Sequence, residues 1–255
     1  MRRLVIGSWD DVPHLTEAMR EAQLATMEPY LRDARTRGIP FLGSGAVYPV
    51  LTEVIEEKPF EIPDHWPRGF ALDVGWNRTA ALWGALDQSS DIVHLYDEHY
   101  VAEETPQTHA SAILGYGTPG KLRGKWVPGV IDPASKGRSQ ADGIKLLETY
   151  KGLGLDIETA VNAVDAGIHQ VWMRLSSGRL KVFSTCQFFF KEYLLYRRDN
   201  NGKIIQNKAR PDHLMDCLRY LIVSGLHRMK PVAYQGQQKD WGDPELVGAS
   251  AWMGA

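Results

Sequence analysis

A single carboxylate set in an apolar, strand-forming run constrains this chain more than any other feature. Phe70 to Val74 reads as a short apolar strand carrying Asp73. Gly75 to Arg78 is turn material, and Thr79 to Leu86 is a second apolar run of strand length. A buried strand carboxylate is costly unless a cation or metal ion pairs with it. The other reading of Asp73 is a side chain that caps its own turn. Trp76, close by, has two readings, a stacking residue or core cover, and core cover is the one favoured.

Residues on either side extend this start into an α/β pattern. Ile92 to Tyr100 is a third strand, which makes an antiparallel meander. Thr105-Pro106 opens a helix, with Thr as N-cap and Pro at the first helical position. Trp126 to Ile131 is a fourth strand ending in Asp132. A helix over 142–150, a strand over 155–159, a helix over 163–175, a strand over 180–183 and a helix over 186–196 follow. A polar hairpin is expected around Asn200-Asn201-Gly202. Pro211 opens the last helix, expected to run to about Met229, with Gly225 weakening it. Upstream, Leu4 to Ser8 reads as an unpartnered strand, and helices are expected from Thr16 and from Pro29. That opening suggests a chain that begins mid-architecture.

Composition sets the outer limits. Of 255 residues, 44% are hydrophobic and 24% charged, ordinary for a globular chain. The net charge of −2 excludes a polycation, so any nucleic-acid contact must use a local basic patch. Cys186 and Cys217 lack zinc spacing and read as buried free thiols of a reducing compartment. No apolar run reaches the roughly 18 residues that span a bilayer, and the first residues do not form a signal peptide.

Two further acids belong with Asp73. If strands one and four are neighbours, Asp132 faces Asp73 at the strand ends, where sites form in open α/β sheets. In the last helix Asp212 and Asp216 stand at i, i+4 on one face, and Leu214, Leu218, Leu221 and Ile222 form the apolar stripe. Converging carboxylates repel one another and suit hard divalent cations with oxygen ligands. Two such ions, roughly 3.5–4 Å apart, activate a water and stabilise a leaving oxygen. The plainer readings are a first-turn acid favoured by the helix dipole for Asp212, and a salt bridge to Arg219 or Arg210 for Asp216.

Phe70-Ala-Leu-Asp73-Val-Gly75-Trp76, Gly129-Val-Ile-Asp132-Pro133 and Asp212-His213-Leu-Met-Asp216-Cys-Leu-Arg219-Tyr220, in this order, resemble the nuclease domain of the large terminase subunit of tailed double-stranded DNA bacteriophages. The resemblance covers residues 40–230. It implies an α/β, RNase H-like (retroviral-integrase-like) fold, a mixed central sheet flanked by helices. It implies a Mg2+- or Mn2+-dependent endonuclease that cuts concatemeric viral DNA with two ions. Asp73, Asp132 and Asp216 correspond to the metal-binding acids, Asp212 shares the third position, and His213 assists.

The resemblance makes 1–38 the end of a packaging ATPase domain and 67–230 the nuclease domain; Gly and Pro content makes 39–66 a linker that packs on the next domain, and Gln, Gly and Asp content makes 231–255 a disordered tail. No Gly-x-x-x-x-Gly-Lys-Ser/Thr phosphate loop is present, so no ATPase activity is expected of this chain. The implied partners are duplex DNA, the small terminase subunit, the portal protein and the ATPase domain of the full-length protein. The implied setting is the host cytoplasm, transiently at the procapsid portal and not in the mature virion. Lys121, Arg123, Lys125, Lys136, Arg138, Lys203, Lys208 and Arg210 bracket the acids and are expected to hold phosphates, the plainer reading being ordinary solvated loop charge. Two other classes remain open: an actin-like phosphotransferase, for which the second phosphate hairpin is missing, and a non-catalytic docking module. His65, His99 and His109 receive no role.

Overall fold

Three strands with almost no exposed face form the centre of the molecule. In the computed structural model, which describes residues 9, 16–26, 36, 45–116, 123–136, 145–199, 201–205 and 211–232, these are β2 (Arg68–Asp73), β3 (Thr79–Asp87) and β4 (Ile92–Val101). They pair antiparallel as the expected meander. Near-continuous burial of β2 and β3 is what a strand covered on both faces requires.

The rest of the sheet is parallel to this centre. β5 (Gly129–Ile131) lies along β2 and β6 (Ile157–Thr159) along β5. On the other side β7 (Leu180–Phe183) lies along β4, and β1 (Glu56–Glu57) along β7. The order is β1-β7-β4-β3-β2-β5-β6, a seven-stranded mixed sheet. The expected α/β class with a mixed central sheet is what the chain adopts.

Helices cover both faces. His99 and Tyr100 are adjacent on β4 and therefore point to opposite sides. His99 meets His109 of α3 (Pro106–Ile113), and Tyr100 reaches α6 (Gln187–Leu195) through Glu192. Thr105 caps α3 as expected, accepting the Thr108 N–H at 3.3 Å. α4 (Leu146–Gly152) packs on α3 and β6. α5 (Val164–Ser176) and α6 flank α7 (His213–Tyr220), which lies across β2 and β3. Leu214, Leu218, Leu221 and Ile222 are buried, as the stripe predicts.

Two expectations change. The last helix is not α-helical to Met229: after Tyr220 it widens into a π-turn over Leu221–Gly225 and tightens into a 3-10 turn over Leu226–Arg228. Gly225 permits this, because a Cβ there would stand 2.9 Å from the Leu221 side chain. The stretch read as a linker also contributes to the fold itself. Val47, Tyr48, Val50, Ile55 and Ile62 are in the core, α2 (Thr52–Ile55) leads into edge strand β1, and Ala46 bridges to Arg197. Sparse periodicity hid that burial. α1 (Glu17–Thr26) starts where Thr16 and Glu17 indicated. The opening strand, nearly all of the second helix and nearly all of the tail lie outside the described residues.

Candidate active site

Asp73 is the last residue of β2. Leu72 pairs with Ile131 across the parallel β2–β5 ladder, so the following residue, Asp132, comes level with Asp73. The Asp132 N–H donates to the Leu72 carbonyl at 2.8 Å, which locks this register at the strand ends. The structure thus makes neighbours of the two acids that the sequence pairs only conditionally.

The third element is α7. Its N-terminal amide at Leu214 donates to Glu192 of α6 at 2.6 Å, and the same buried carboxylate accepts the Tyr100 hydroxyl at 2.6 Å. Asp212 holds the N-cap position but makes no capping bond with its side chain. The first turn is therefore fastened from a neighbouring helix. This aims His213 at the sheet, where its Nδ1 lies 2.8 Å from an Asp73 carboxylate oxygen. One turn later Asp216 accepts from the Arg219 guanidinium at 2.8 Å, the salt bridge that the sequence offers as the plainer reading. Arg219 is only 3% exposed and passes a gap left by Gly167 of α5, where a Cβ would stand 2.6 Å from its stem. Tyr220 closes the group: its hydroxyl donates to Asp132 at 3.2 Å, and the Ala134 N–H donates to the same oxygen at 3.0 Å.

The electrostatics follow from burial. Desolvation raises the Asp73 carboxyl above its ordinary value; His213 opposes this, while the charges of Asp132 and Asp212 add to it. Asp216 is pushed up to about 6, again chiefly by burial, against the pull of Arg219 and with Asp212 and Asp73 adding to the rise. His213 is raised, first by its hydrogen bond to Asp73. These mutual effects put the four acids in one electrostatic group. Among the described residues, however, no three His, Cys, Asp or Glu side chains stand as a ready metal cluster. Asp73, Asp132 and Asp216 each have a different hydrogen-bonding partner. The donor chemistry fits a hard divalent cation: carboxylate oxygens at adjoining strand ends, with the charges of neighbouring acids adding to the rise of Asp73 and Asp216.

The basic residues divide. Lys125 and Lys203 are exposed, and Lys136 ends a short 3-10 turn after Asp132. Lys121, Arg138, Lys208 and Arg210 lie outside the described residues. Arg123 is a correction. Its guanidinium pairs with Asp97 at 2.6 and 2.9 Å, donates to the Ala112 and Glu98 carbonyls and lies 4.3 Å over the Trp83 ring. A cation so fully engaged inside the fold is structural.

Sequence reasoning missed Tyr220 and Glu192. Glu192 carries the signal that singled out Asp216, an acid inside an apolar helix, here Phe-Phe-Phe-Lys-Glu-Tyr-Leu-Leu. It also missed that His99 and His109 meet, Nε2 to Nδ1 at 2.9 Å in a buried pair. Trp76 is corrected too: it is 71% exposed, not core.

No family model matches the chain. The large terminase subunits of Enterobacteria phage LP7 and of Salmonella phage P22 are each 31% identical to it over 220 residues, 82% of this chain. The solved nuclease domain of the P22 large terminase superposes with a TM-score of 0.64 at 28% identity, over 75% of this chain and 97% of that one. The chain belongs to the large terminase subunit family. Its described fold is that of the terminase nuclease domain, RNase H-like as the motifs implied. The chain spans less than half the length of the curated relatives it matches, 44% and 42%. A large terminase from a thermophilic bacteriophage shares the fold, with a TM-score of 0.58 at 17% identity over 84% of this chain and 54% of that one. Among the described residues, no helix of this terminase chain is long and apolar enough to cross a membrane.

Proposed function

We propose that this chain is the endonuclease that cuts concatemeric viral duplex DNA during genome packaging, using two Mg2+ or Mn2+ ions. The observation that carries the reading is the level pairing of Asp73 and Asp132 at adjoining ends of β2 and β5, faced by the acids of α7. The bound ions would supply an activated water and stabilisation of the leaving oxygen.

Asp73, Asp132 and an acid from the Asp212/Asp216 turn hold the ions. His213 orients Asp73, and Tyr220 orients Asp132. Both are positioning residues. Lys125, Lys136 and Lys203, with Lys121, Arg138, Lys208 and Arg210, hold the phosphates on either side without reading sequence. Arg123 has no part in this.

In the whole protein the chain works beside an upstream ATPase domain, whose end is residues 1–38, and with the small terminase subunit and the portal protein. It acts in the host cytoplasm, transiently at the procapsid portal, and leaves before the virion matures. The chain alone hydrolyses no ATP.

The test is supercoiled plasmid incubated with Mg2+, Mn2+ or EDTA. The expected result is nicking with either ion and none in EDTA or with Asp73→Asn. Cutting in EDTA by the parent, or full activity of Asp73→Asn, overturns the reading.

A further inference from the structure

We propose that Trp76 is a substrate-contacting residue whose indole stacks on an unpaired base of the DNA strand held at the acids. This rests on the nuclease reading above and adds to it the form of DNA the site grips.

Single exposed apolar side chains are ordinary. Trp76 differs in how its backbone is held. It lies three residues past Asp73, in the turn joining β2 to β3, and its carbonyl accepts the Glu103 N–H at 3.0 Å. Glu103 makes that bond from a left-handed conformation, φ 55°, which a non-glycine residue adopts at a cost. One residue earlier, the Gly75 carbonyl accepts the Thr79 hydroxyl at 3.1 Å. The turn is fastened on both sides while its largest side chain is left in solvent.

The turn also rests on an aromatic shelf that leads to the site. The Arg78 guanidinium lies 4.5 Å over the Tyr100 ring, and Tyr100 stacks on Phe188 at 4.8 Å. The Tyr100 ring is 6.4 Å from that of His213, the residue bonded to Asp73. With the backbone of the turn fixed, only the two side-chain torsions of the indole have to be ordered on binding. Every base offers it a π-face, so the contact tolerates any sequence, as a packaging nuclease requires. The cationic Arg78 beside it favours a polyanion over an apolar protein surface. A base can reach the indole only where the duplex is locally open or ends in an overhang.

The test is fluorescence anisotropy in EDTA, which suppresses cutting. It uses a labelled single-stranded oligonucleotide and versions carrying one abasic site at successive positions. The parent is expected to lose about tenfold in affinity when the abasic site falls beneath the indole. Trp76→Ala should bind the intact oligonucleotide about tenfold more weakly and show no abasic penalty. Trp76→Phe should retain most of the affinity, and all three should melt together. The inference is overturned if Trp76→Ala binds like the parent or keeps the abasic penalty. It is overturned alone if the parent nicks plasmid but binds no single strand. A parent that neither cuts nor binds DNA overturns the nuclease reading with it.

Discussion

The Nδ1 of His213 lies 2.8 Å from a carboxylate oxygen of Asp73, 140 positions earlier in the chain. The pair joins the end of a central strand to the first turn of α7, and it gives the metal-free protein a pH dependence with a definite sign. Raising His213 above its ordinary value adds stability that is complete below about 6.5 and is lost as pH climbs through the raised value. Asp73 is raised as well, chiefly by burial, so ionising it costs the folded state as pH climbs above 3.8. Asp216, raised from 3.8 to about 6, acts in the same direction, by at most on the order of 3 kcal/mol. Asp87 and Asp91 are lowered, so their contributions are lost only below that window. His99, lowered to about 4 chiefly by burial, and His109, also lowered by burial, oppose the acids, because their contribution grows until pH passes about 6.5. In EDTA the melting temperature should therefore fall as pH rises from about 7 to 8. His213→Gln should flatten that fall, and Asp216→Asn should make the curve climb more steeply than the parent's between about 4 and 6. A parent melting temperature that climbs from about 7 to 8 would contradict the assignment.

The acids separate under substitution to Asn. Asp73→Asn should keep or slightly raise the metal-free melting temperature, because it removes a charge that burial already disfavours. Asp73→Asn and Asp132→Asn should each lower plasmid nicking by orders of magnitude. Mn2+ should raise the melting temperature of the parent and not that of Asp73→Asn, by the linkage of binding to stability. Asp212→Asn and Asp216→Asn, measured side by side, identify the third ligand as whichever loses that Mn2+ shift.

Tyr220→Phe tests positioning. It deletes one donor to Asp132 and leaves the Ala134 N–H in place. Stability should fall by about 1 kcal/mol, the net worth of such a bond. Nicking should slow several-fold, well short of the loss in Asp132→Asn. Nicking at the parent rate would remove Tyr220 from the site.

Gly129→Ala tests the strand that carries Asp132. A Cβ at Gly129 would stand 2.5 Å from the Phe70 ring, which is buried and stacked on Trp83. Neither ring has room to retreat, so the substitution should cost about 3 kcal/mol, at the upper end for overpacking. It should also spread the β2–β5 register on which the level acids depend. A denaturant midpoint like the parent's would show that the core yields more easily than this packing indicates.

The strands and most helices were legible because apolar period and turn residues agree along 68–101 and 155–196. The acids at 73, 132 and 216 stood out because charge in an apolar run is costly anywhere. What eluded reading was held by partners distant in sequence. Glu192 carries the same signal, an acid in an apolar helix, but the helix it fastens begins 21 residues later, so its role could not be read from α6 alone. Arg123 pairs with Asp97 of β4, 26 positions earlier and on the far side of α3 in sequence, so a structural cation looked like a phosphate ligand. Residues 45–66 bury five core side chains without a helical or strand period, and composition alone made them a linker.

The parallel seating of β5 beside β2 also has a consequence in time. The β2–β3–β4 meander closes short loops and can form as soon as residue 101 is free. The pairing that levels Asp132 with Asp73 is complete only at Ile131, 58 residues after Asp73, and α7 arrives only after residue 211. A growing chain can therefore bury most of its sheet before it owns a place to bind a phosphate for cutting. On the proposed reading, competence to break DNA would appear with nearly the last described segment, after the helix that carries His213 has docked. A chain interrupted before residue 211 would then lack the acids of that turn and spare the DNA around it.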